Sequence, residues 1–481
     1  MSEDLVSRLE SEKKAIERFR LNSISPDDGK YGETADPLRA YLSAKAEWLT
    51  CAKVQFVLLQ TRHEFGQATK EAVEEVRQAL GRIDPLNMSL LEKNVTKHDQ
   101  LAVIEEIGRF VSSETKALLH PGTTSYDILD TARSCLFRNA WQEVIRPQVK
   151  NVIGQFCGVA EETMDILQVG RTHLQYTSPI TFGFVMAGYS ARLAERVKKL
   201  DRDFGDLRGK ISGIVGTGAG IEMVIGEGRA LEFEKAVLSK LGLEPDYTST
   251  QIVQKERLAD VGHGLVTLAH VLGDFAGDMR YLYSSDVGEV TSRDSADRLG
   301  GSSSDAAKNN PVNYENIEGK VAEVESGMRV LYEMIQTDLQ RDLRSSVQAR
   351  YQPQAMMAHV HEMFVRAGKE LGQLSFNKDK MTKSLQGIRD FPSEAMVTIL
   401  RGVGFVHSKY GEGHNFVKEM SKLAKKSRVN LIDVAREDIE FGGVYSSLPD
   451  NKKGILNGDL EMYLGAAKEK ARRNVGYARS I

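Results

Sequence analysis

The feature that most constrains this chain is a long stretch without proline. None occurs between Pro245 and Pro311, and the whole chain of 481 residues contains only 11 prolines. Within the stretch, apolar residues recur at steps of three or four positions, which is the period of one helix face: Leu258, Val261, Leu265, Leu268, Leu272 and Phe275. Because proline would interrupt a helix, the pattern predicts one long helix over residues 252–283.

Further helices are predicted on both sides of this one. Residues 37–65, 99–119, 125–168 and 180–207 carry the same period, and Pro147 allows a kink in the third of these segments. Asn310 suits a helix N-cap and Pro311 the position after it, so another helix should run from Pro311 to about Asp338. The glycine-rich residues 209–220 and 226–228 are predicted to be loops or short strands. The fold class is therefore mainly α.

Helix length indicates how such a chain is organised. A helix of 30 residues is about 45 Å long, which is more than one compact domain usually needs. We therefore expect a three-part chain, with helical parts at 1–120 and 371–481 and a central part at 121–370. The long helices of the central part should form a bundle that is shared between subunits.

Composition excludes several classes of partner. The 64 Lys and Arg residues against 67 Asp and Glu give a net charge of -3 with no basic stripe, so nucleic acid is not an expected partner. No segment approaches the ~20 apolar residues of a membrane helix, and the N-terminal residues lack the apolar core of a secretory signal. A cytoplasmic location is the expectation. Cys51, Cys135 and Cys157 have no metal-binding spacing, and we interpret them as buried thiols.

One short segment combines several reactive groups. Residues 301–311, GSSSDAAKNNP, bring serine hydroxyls, Lys308 and small residues together just before a predicted helix N-terminus. A serine can remove a proton only if amide N–H groups, a cation or a helix N-terminus activate it, and this segment offers all three. The same groups could hold carboxylate oxygens. The alternative is a flexible surface loop, which such compositions often form.

Four segments together resemble one known family. The loop at 301–311 is similar to a motif of the fumarase/aspartase superfamily. Three other segments are similar to further motifs of that superfamily and occur in the expected order: HPGTTSYDILDTA at 120–132, GRTHLQ at 170–175 and GKISGIVGT at 209–217. Members of that superfamily eliminate fumarate by cleaving C–N or C–O bonds. SISPDDGKYGETADPLRAYLS near the start, KHDQLA at 97–102 and STQIVQKERLAD at 249–260 resemble its adenylosuccinate lyase branch.

The resemblance implies roles for particular residues. Ser302 matches the base that takes a proton from the carbon beside a succinyl carboxylate, and His173 matches the general acid that protonates the leaving nitrogen. The residues that match carboxylate-binding groups are Thr124, Ser125, Lys308 and Asn310. Donors placed at the second carboxylate would stabilise the negative charge that proton removal creates.

Further residues match scattered active-site positions of the branch, with Gln251 and Arg257 near the nucleotide and Lys30 and Tyr31 at the phosphate. They are Lys30, Tyr31, His98, Asp99, His120, Gln251, Arg257 and Arg341. Lys30 stands where the branch has arginine, so it keeps the charge at the phosphate but lacks the guanidinium fork. His98 and His120 have a second interpretation as residues at helix starts. The reaction needs no cofactor or metal, and His359 with His361 is not expected to bind one.

The serine loop departs from the family at several positions. Asp305 and Ala306 replace Met-Pro, Ala307 and Asn309 replace His and Arg, and Thr337-Asp338 replaces Ser-Arg further on. Three hypotheses follow from these departures. The chain is an adenylosuccinate lyase in purine biosynthesis, a lyase for a different N-succinyl compound, or a non-catalytic paralogue that keeps the family's homotetramer. In that tetramer each active site would combine segments of three subunits.

Overall fold

Helices make up most of the computed structural model, which describes residues 23–293, 304, 308–386 and 392–481. The helices of the first half are α1 Gly32–Ala35, α2 Arg39–Leu42, α3 Ala44–Glu64, α4 Lys70–Ala79, α5 Pro85–Leu91, α6 Asp99–Gly108, α7 Ser113–Ala117, α8 Ser125–Ala140, α9 Arg146–Glu162, α10 Phe182–Gly205, α11 Ala219–Ile225 and α12 Ala230–Lys240.

The helices of the second half are α13 Glu256–Tyr283, α14 Val312–Ile335, α15 Arg344–Gln348, α16 Gln352–Gln373, α17 Lys378–Gln386, α18 Ser393–Gly402, α19 Gly413–Ser427, α20 Leu431–Arg436, α21 Ile439–Ser447, α22 Asp450–Leu456 and α23 Ala467–Arg479. Short 3-10 turns lie at Asp36–Leu38 and Glu461–Tyr463, and π-turns at Glu92–Thr96 and Trp141–Ile145. The prediction of a mainly α fold is confirmed.

The strands of the described residues form small two-stranded sheets. They are β1 Leu167–Thr172, β2 Gln175–Thr181, β3 Arg208–Gly209, β4 Glu244–Pro245, β5 Val290–Ser292, β6 Leu374–Phe376, β7 Val406–His407 and β8 Gly411–Glu412. β1 with β2, β5 with β6 and β7 with β8 are antiparallel, whereas β3 with β4 is parallel. The longest of these sheets, β1 and β2, carries His173 in its connecting turn.

The chain divides into two compact units. The first unit takes the described residues within Met1–Asn151, Glu195–Gly273 and Asn316–Ala367, and the second takes those within Val152–Ala194, Asp274–Glu315 and Gly368–Ile481. A buried apolar core in the first unit joins α3, α8 and α12, and another in the second unit joins α18 to α22. The division of the sequence into three consecutive parts stays a prediction.

The longest predicted helices are present, with their ends shifted by a few residues. The helix predicted over 252–283 is α13, and the one predicted from Pro311 is α14, which begins at Val312. The segment 125–168 is helical as far as Glu162, and its irregularity is the π-turn Trp141–Ile145, which ends two residues before Pro147. The segment 99–119 contains two helices, α6 and α7, and the Ser112 side chain caps α7 by accepting a hydrogen bond from Thr115 N.

Candidate active site

The start of α8 brings several of the predicted residues together. Ser125 is the first residue of this helix, and its Oγ lies 3.1 Å from Nε2 of His98. Nδ1 of His98 in turn lies 3.3 Å from the carboxylate of Asp99. Thr124 precedes the helix as its N-cap. The N-terminus of a helix of this length favours anionic groups, so this arrangement suits a carboxylate.

A buried carboxylate fixes the backbone around this helix start. Asp127 is fully buried, and its side chain accepts hydrogen bonds from the backbone N–H of Thr124 (2.7 Å), Ser212 (3.0 Å) and Gly213 (3.1 Å). Its fourth partner is the ammonium of Lys210, which is also fully buried and additionally donates to the Gly213 carbonyl (3.1 Å). Asp127 thereby joins the TSYD segment to the glycine-rich segment at 209–217.

His120 has an unusual backbone and a neutral side chain. Its φ is +70°, in the left-handed region that residues other than glycine seldom adopt. Burial lowers the pKa of its imidazole, and nearby Asp127 only partly opposes this effect. Gln55 Nε2 donates a hydrogen bond to His120 Nδ1 (2.8 Å), so the ring proton lies on Nε2. His120 can therefore donate from Nε2 to a ligand.

Gln251 and Arg341 are adjacent. Arg341 Nη1 donates to Gln251 Oε1 (2.8 Å), and the guanidinium lies 3.9 Å from the ring centre of Tyr126, the residue that follows Ser125. These contacts bring both residues to the α8 start. Arg257 makes a different contact, since its Nε lies 2.9 Å from the carboxylate of Asp206.

Lys30 and Tyr31 lie on a segment that is attached to α14 and α16. Asn316 Nδ2 donates to the Tyr31 hydroxyl (3.2 Å), and the ammonium of Lys320 lies 4.2 Å from the centre of the Tyr31 ring. Asp27, four residues before Tyr31, pairs with Nε2 of His359 at 3.1 Å. Lys30 itself is exposed. His359, on α16, therefore holds this segment in place through Asp27.

The second unit carries His173 at the tip of the β1–β2 hairpin. Thr172 pairs with Gln175, which leaves His173 and Leu174 as a two-residue turn. Both turn residues have positive φ, 53° and 59°, and both side chains are exposed. Positive φ at two consecutive residues matches the twist of a hairpin, but glycine or asparagine usually supplies it.

The serine loop is described only in part. Ser302, Asp305, Ala306 and Ala307 lie outside the described residues, so the predictions made for them concern positions that the structure does not describe. Lys308 is exposed, and Asn309 donates a hydrogen bond to the Tyr283 hydroxyl (2.7 Å). Asn310 is half-buried and lies just before α14.

Asp338, which stands where the branch has arginine, forms an ion pair with a nearby arginine. Its carboxylate lies 3.1 Å from the Arg344 guanidinium, which also pairs with Asp342 at 2.6 Å. Hydrogen bonds from Arg344 lower the pKa of Asp342, so that carboxylate is ionised at neutral pH. Arg341 is left to contact Gln251 and Tyr126, and Asp338 does not neutralise it through a described contact.

Strained backbone coincides with the predicted site. Six residues other than glycine have positive φ among those described: Lys97, His120, His173, Leu174, Leu339 and Arg428. Five of them are predicted site residues or lie within two residues of one, and only Arg428 does not. Such conformations cost free energy and tend to occur where function requires a fixed geometry. The assignment of the site residues stays a prediction.

A cavity of about 420 Å³ lies beside Asp99 within the first unit. Tyr41 and Trp48 contribute aromatic surface to its wall, and Gln100 and Arg133 contribute polar groups. Gln100 is fully buried, and neither atom of its amide group has a hydrogen-bond partner among the described residues. Nη1 of Arg133 likewise has none in the described part of the chain. These groups could bind polar atoms of a ligand.

The described residues contain neither a metal-binding cluster nor a membrane-spanning helix. Across residues 23–293, 304, 308–386 and 392–481, no group of three or more His, Cys, Asp and Glu side chains could hold a metal ion. The three cysteines are buried, as predicted, and burial raises the pKa of each thiol. None of the described helices is long and apolar enough to cross a membrane.

Sequence analysis missed several residues that shape the site. Lys210 and Gln55 are fully or almost fully buried and contact Asp127 and His120 respectively. Asp127 and Lys210 stand inside the quoted motifs, which was the available signal for them. Gln55 lies in a helix with no motif, and nothing in the sequence distinguishes it.

Comparison with known proteins identifies the family of the chain. A family model described as lyase matches residues 27–325. The adenylosuccinate lyase of Archaeoglobus fulgidus is 26% identical over 462 residues, which cover 95% of this chain and 99% of that protein. That of Synechocystis is 32% identical over 305 residues, 63% of this chain and 64% of the relative.

The fold is also similar to that of an enzyme of known structure. The structure of the 3-carboxy-cis,cis-muconate lactonizing enzyme from Pseudomonas putida matches with a TM-score of 0.77 and covers 93% of this chain and 97% of its own. At 19% identity this likeness concerns the fold alone. The chain belongs to the lyase family that the model describes. That family is part of the fumarase/aspartase superfamily, and the chain falls in the adenylosuccinate lyase branch.

Proposed function

We propose that this protein is a C–N lyase that splits adenylosuccinate into AMP and fumarate in purine biosynthesis. The observation that carries the proposal is the cluster at the start of α8. There His98 contacts Ser125, and Arg341 contacts both Gln251 and Tyr126. The relatives of the branch that match nearly the whole chain carry the name of this enzyme.

The proposed reaction is an elimination. Ser302 removes the proton from the carbon beside one succinyl carboxylate, and the electron pair moves onto that carboxylate. The C–N bond on the neighbouring carbon then breaks as the double bond of fumarate forms, and His173 protonates the departing nitrogen. A histidine suits this step because its usual pKa lies near neutral pH.

Carboxylate binding is proposed for residues of two segments. Thr124 and Ser125 offer hydroxyl groups at the α8 N-terminus, where a negative charge is favoured. Lys308 adds an exposed ammonium group, and Asn310 an amide group. These donors stabilise the charge that develops when the proton leaves, which lowers the barrier more than it strengthens ground-state binding.

The nucleotide part of the substrate is proposed to lie near His98, Asp99, His120 and the Gln251–Arg341 pair. The cavity beside Asp99 is within the size range of small-molecule sites and combines aromatic walls with buried polar groups that lack partners among the described residues. Lys30, Tyr31 and Arg257 are proposed to contribute to the phosphate end. No cofactor takes part in this mechanism.

A homotetramer in the cytoplasm is the proposed form of the enzyme. The long helices α13 and α14 support a shared bundle, with the consecutive parts 1–120, 121–370 and 371–481. Light scattering after size-exclusion chromatography tests the tetramer, and a monomer at micromolar concentration would contradict it.

The activity is tested with purified protein and adenylosuccinate. Loss of the succinyl-purine ultraviolet absorbance, with one fumarate formed per substrate consumed, is the expected result. Ser302→Ala protein serves as the blank. Fumarate from other N-succinyl amines but not from adenylosuccinate would indicate a different substrate. No fumarate from any of them would indicate a non-catalytic paralogue.

A further inference from the structure

The turn that carries His173 is strained and must be held by its surroundings. A two-residue turn with positive φ at both His173 and Leu174 lacks the glycine or asparagine that would make it favourable. Neither side chain is buried, so packing of these two residues does not stabilise the turn. The conformation persists only if neighbouring residues determine it.

Glu289 supplies a buried anchor for the hairpin. Its side chain is fully buried and forms a two-pronged ion pair with Arg171, the residue two positions before His173. In this pair Arg171 Nη1 lies 3.1 Å from Oε2, while Nη2 contacts Oε1. Gln168 Nε2, also on β1, donates to the same Oε2 at 2.9 Å. One carboxylate therefore holds two positions of the strand that leads into the turn.

Glu289 is itself fixed by the backbone. It immediately precedes β5, its N–H donates to the Leu282 carbonyl (3.0 Å), and its carbonyl accepts from Asn377 N (3.0 Å). Burial would raise the pKa of Glu289, but hydrogen bonds from Arg171, Gln168 and Ser384 outweigh burial and lower it. The carboxylate is therefore ionised at neutral pH and can pair with the guanidinium.

The Arg171 side chain also lies close to a residue of the second strand, β2. Its guanidinium lies 5.1 Å from the ring centre of Tyr176, its partner in the register of β1 and β2, and 5.8 Å from that of Tyr281. The Arg171 side chain is only 9% exposed. The two strand positions next to the turn pair, Arg171 and Tyr176, are thus fixed on either side of His173.

We propose that Glu289 is a positioning residue for His173. It acts through Arg171, and this ion pair holds the strained hairpin turn in place. The inference rests on the proposed function, in which His173 protonates the leaving nitrogen. Glu289 does not contact the reacting atoms in this proposal. Its charge and two-oxygen geometry keep the imidazole where the proton is needed, so its loss reduces turnover more than substrate binding.

The experiment compares Glu289→Gln with a matched surface control, Glu161→Gln. Glu161 also pairs with an arginine of the second unit, Arg479, at 2.6 Å, but both side chains are about half exposed. Glu289→Gln is expected to lower kcat for adenylosuccinate at least tenfold with KM within twofold of wild type. Glu161→Gln is expected to change neither. A rise in KM without a fall in kcat would overturn the proposal.

A double-mutant cycle separates positioning from general damage. When His173 is already alanine, adding Glu289→Gln should lower the remaining rate less than twofold, because there is no imidazole left to position. The same tenfold loss in both backgrounds would overturn the proposal. Arg171→Lys provides a second variant in case Glu289→Gln does not fold, and it should show the same pattern because lysine keeps the charge but lacks the fork.

A measurement of the hairpin itself distinguishes this proposal from the proposed function. Amide hydrogen exchange of peptides that cover residues 167–181 should be faster in Glu289→Gln than in wild type and Glu161→Gln. Unchanged exchange would overturn the positioning role, whatever the enzyme's substrate. If exchange is faster in Glu289→Gln but the wild-type protein releases no fumarate, the anchoring role of Glu289 is supported and the proposed function is rejected.

Discussion

The α8 start in the first unit and the β1–β2 hairpin in the second both place a strained histidine near a buried ion pair. In the first unit Asp127 pairs with Lys210 and also accepts from three backbone N–H groups. In the second, the donors that reach the Glu289 carboxylate from Arg171 and Gln168 are side chains. Asp127 therefore determines the path of the backbone in two segments, whereas Glu289 determines the placement of one hairpin. Loss of Asp127 should mainly affect folding, and loss of Glu289 mainly turnover.

The largest expected effect tests the first half of this comparison. Asp127→Asn leaves the fully buried ammonium of Lys210 without its counter-charge. The free energy of unfolding should fall by about 3–5 kcal/mol, as when one partner of a buried pair is removed. Urea denaturation measures it. Glu64→Gln breaks the exposed pair with Lys240 in the same unit and should cost less than about 1 kcal/mol. Equal losses in both variants would contradict the comparison.

Removal of the proposed acid or base should give the next largest effect. His173→Ala and Ser302→Ala should each lower turnover at least ~100-fold, the usual contribution of a general acid or base. Both proteins should keep the wild-type oligomeric state, and His173→Ala should also keep the wild-type unfolding midpoint because the His173 side chain is exposed. Steady-state kinetics and light scattering provide the measurements. Wild-type rates in either variant would remove that residue from the mechanism.

A third prediction concerns pH and the region around Asp127. Burial raises the pKa of Glu234 to about 7, although a hydrogen bond from Ile211 N opposes it. In the unfolded chain a glutamate has a pKa of about 4.3. The native state therefore binds more protons between these values, so this residue's contribution to stability falls as pH rises through that window.

Glu234→Gln should remove that pH dependence. Relative to wild type, the variant should gain of order 1–3 kcal/mol in free energy of unfolding between pH 4 and pH 8, with most of the change below pH 7. Urea denaturation at several pH values checks this. A constant difference across the range would show that Glu234 is ionised in the native state, and that the surroundings of Asp127 tolerate a further negative charge.

The smallest expected effect concerns the serine loop. Replacing Asp305-Ala306 by Met-Pro should raise the rate on adenylosuccinate several-fold. Proline would stiffen the turn, and removing Asp305 would delete a repulsion of about 1 kcal/mol with the substrate carboxylates. Fumarate release by the two proteins measures the difference. If the exchange instead lowers the rate on another N-succinyl compound, Asp305 pairs with a cationic group of that substrate. Equal rates of the two proteins on adenylosuccinate would show that the loop tolerates Asp305.

The sequence predicts the helices well where periodicity is strong and proline is absent. The positions Leu258 to Phe275 identify α13, because burial of one face requires that spacing. The π-turn at Trp141–Ile145 was not predicted, because one shifted hydrogen bond leaves the apolar pattern almost unchanged. The break between α6 and α7 depends on a single side-chain cap at Ser112, which the longer apolar pattern obscured.

The site was predicted as a set of segments but not as a set of contacts. The motifs identified Ser125, His98, Gln251 and Arg341, and the structure brings these four together in the first unit. The pairing of Arg171 with Glu289 joins positions 118 residues apart. Side-chain contacts over such separations leave no periodic signal in one sequence. The roles of the site residues stay predictions.

The attachment of Asp27 to His359 has a consequence for how the chain is made. The two residues are 332 positions apart, and Asn316 and Lys320, which contact Tyr31, are also made late. At about 5–20 residues per second, a ribosome needs some tens of seconds to travel from the first partner to the last. The segment with Lys30 and Tyr31 is synthesised early but cannot dock until α14 and α16 have emerged. The Lys30 side chain stays exposed after docking, but docking holds the backbone that a protease must bind. We therefore expect trypsin to cut after Lys30 quickly in nascent chains stopped before residue 316, and more slowly in chains that extend through α16.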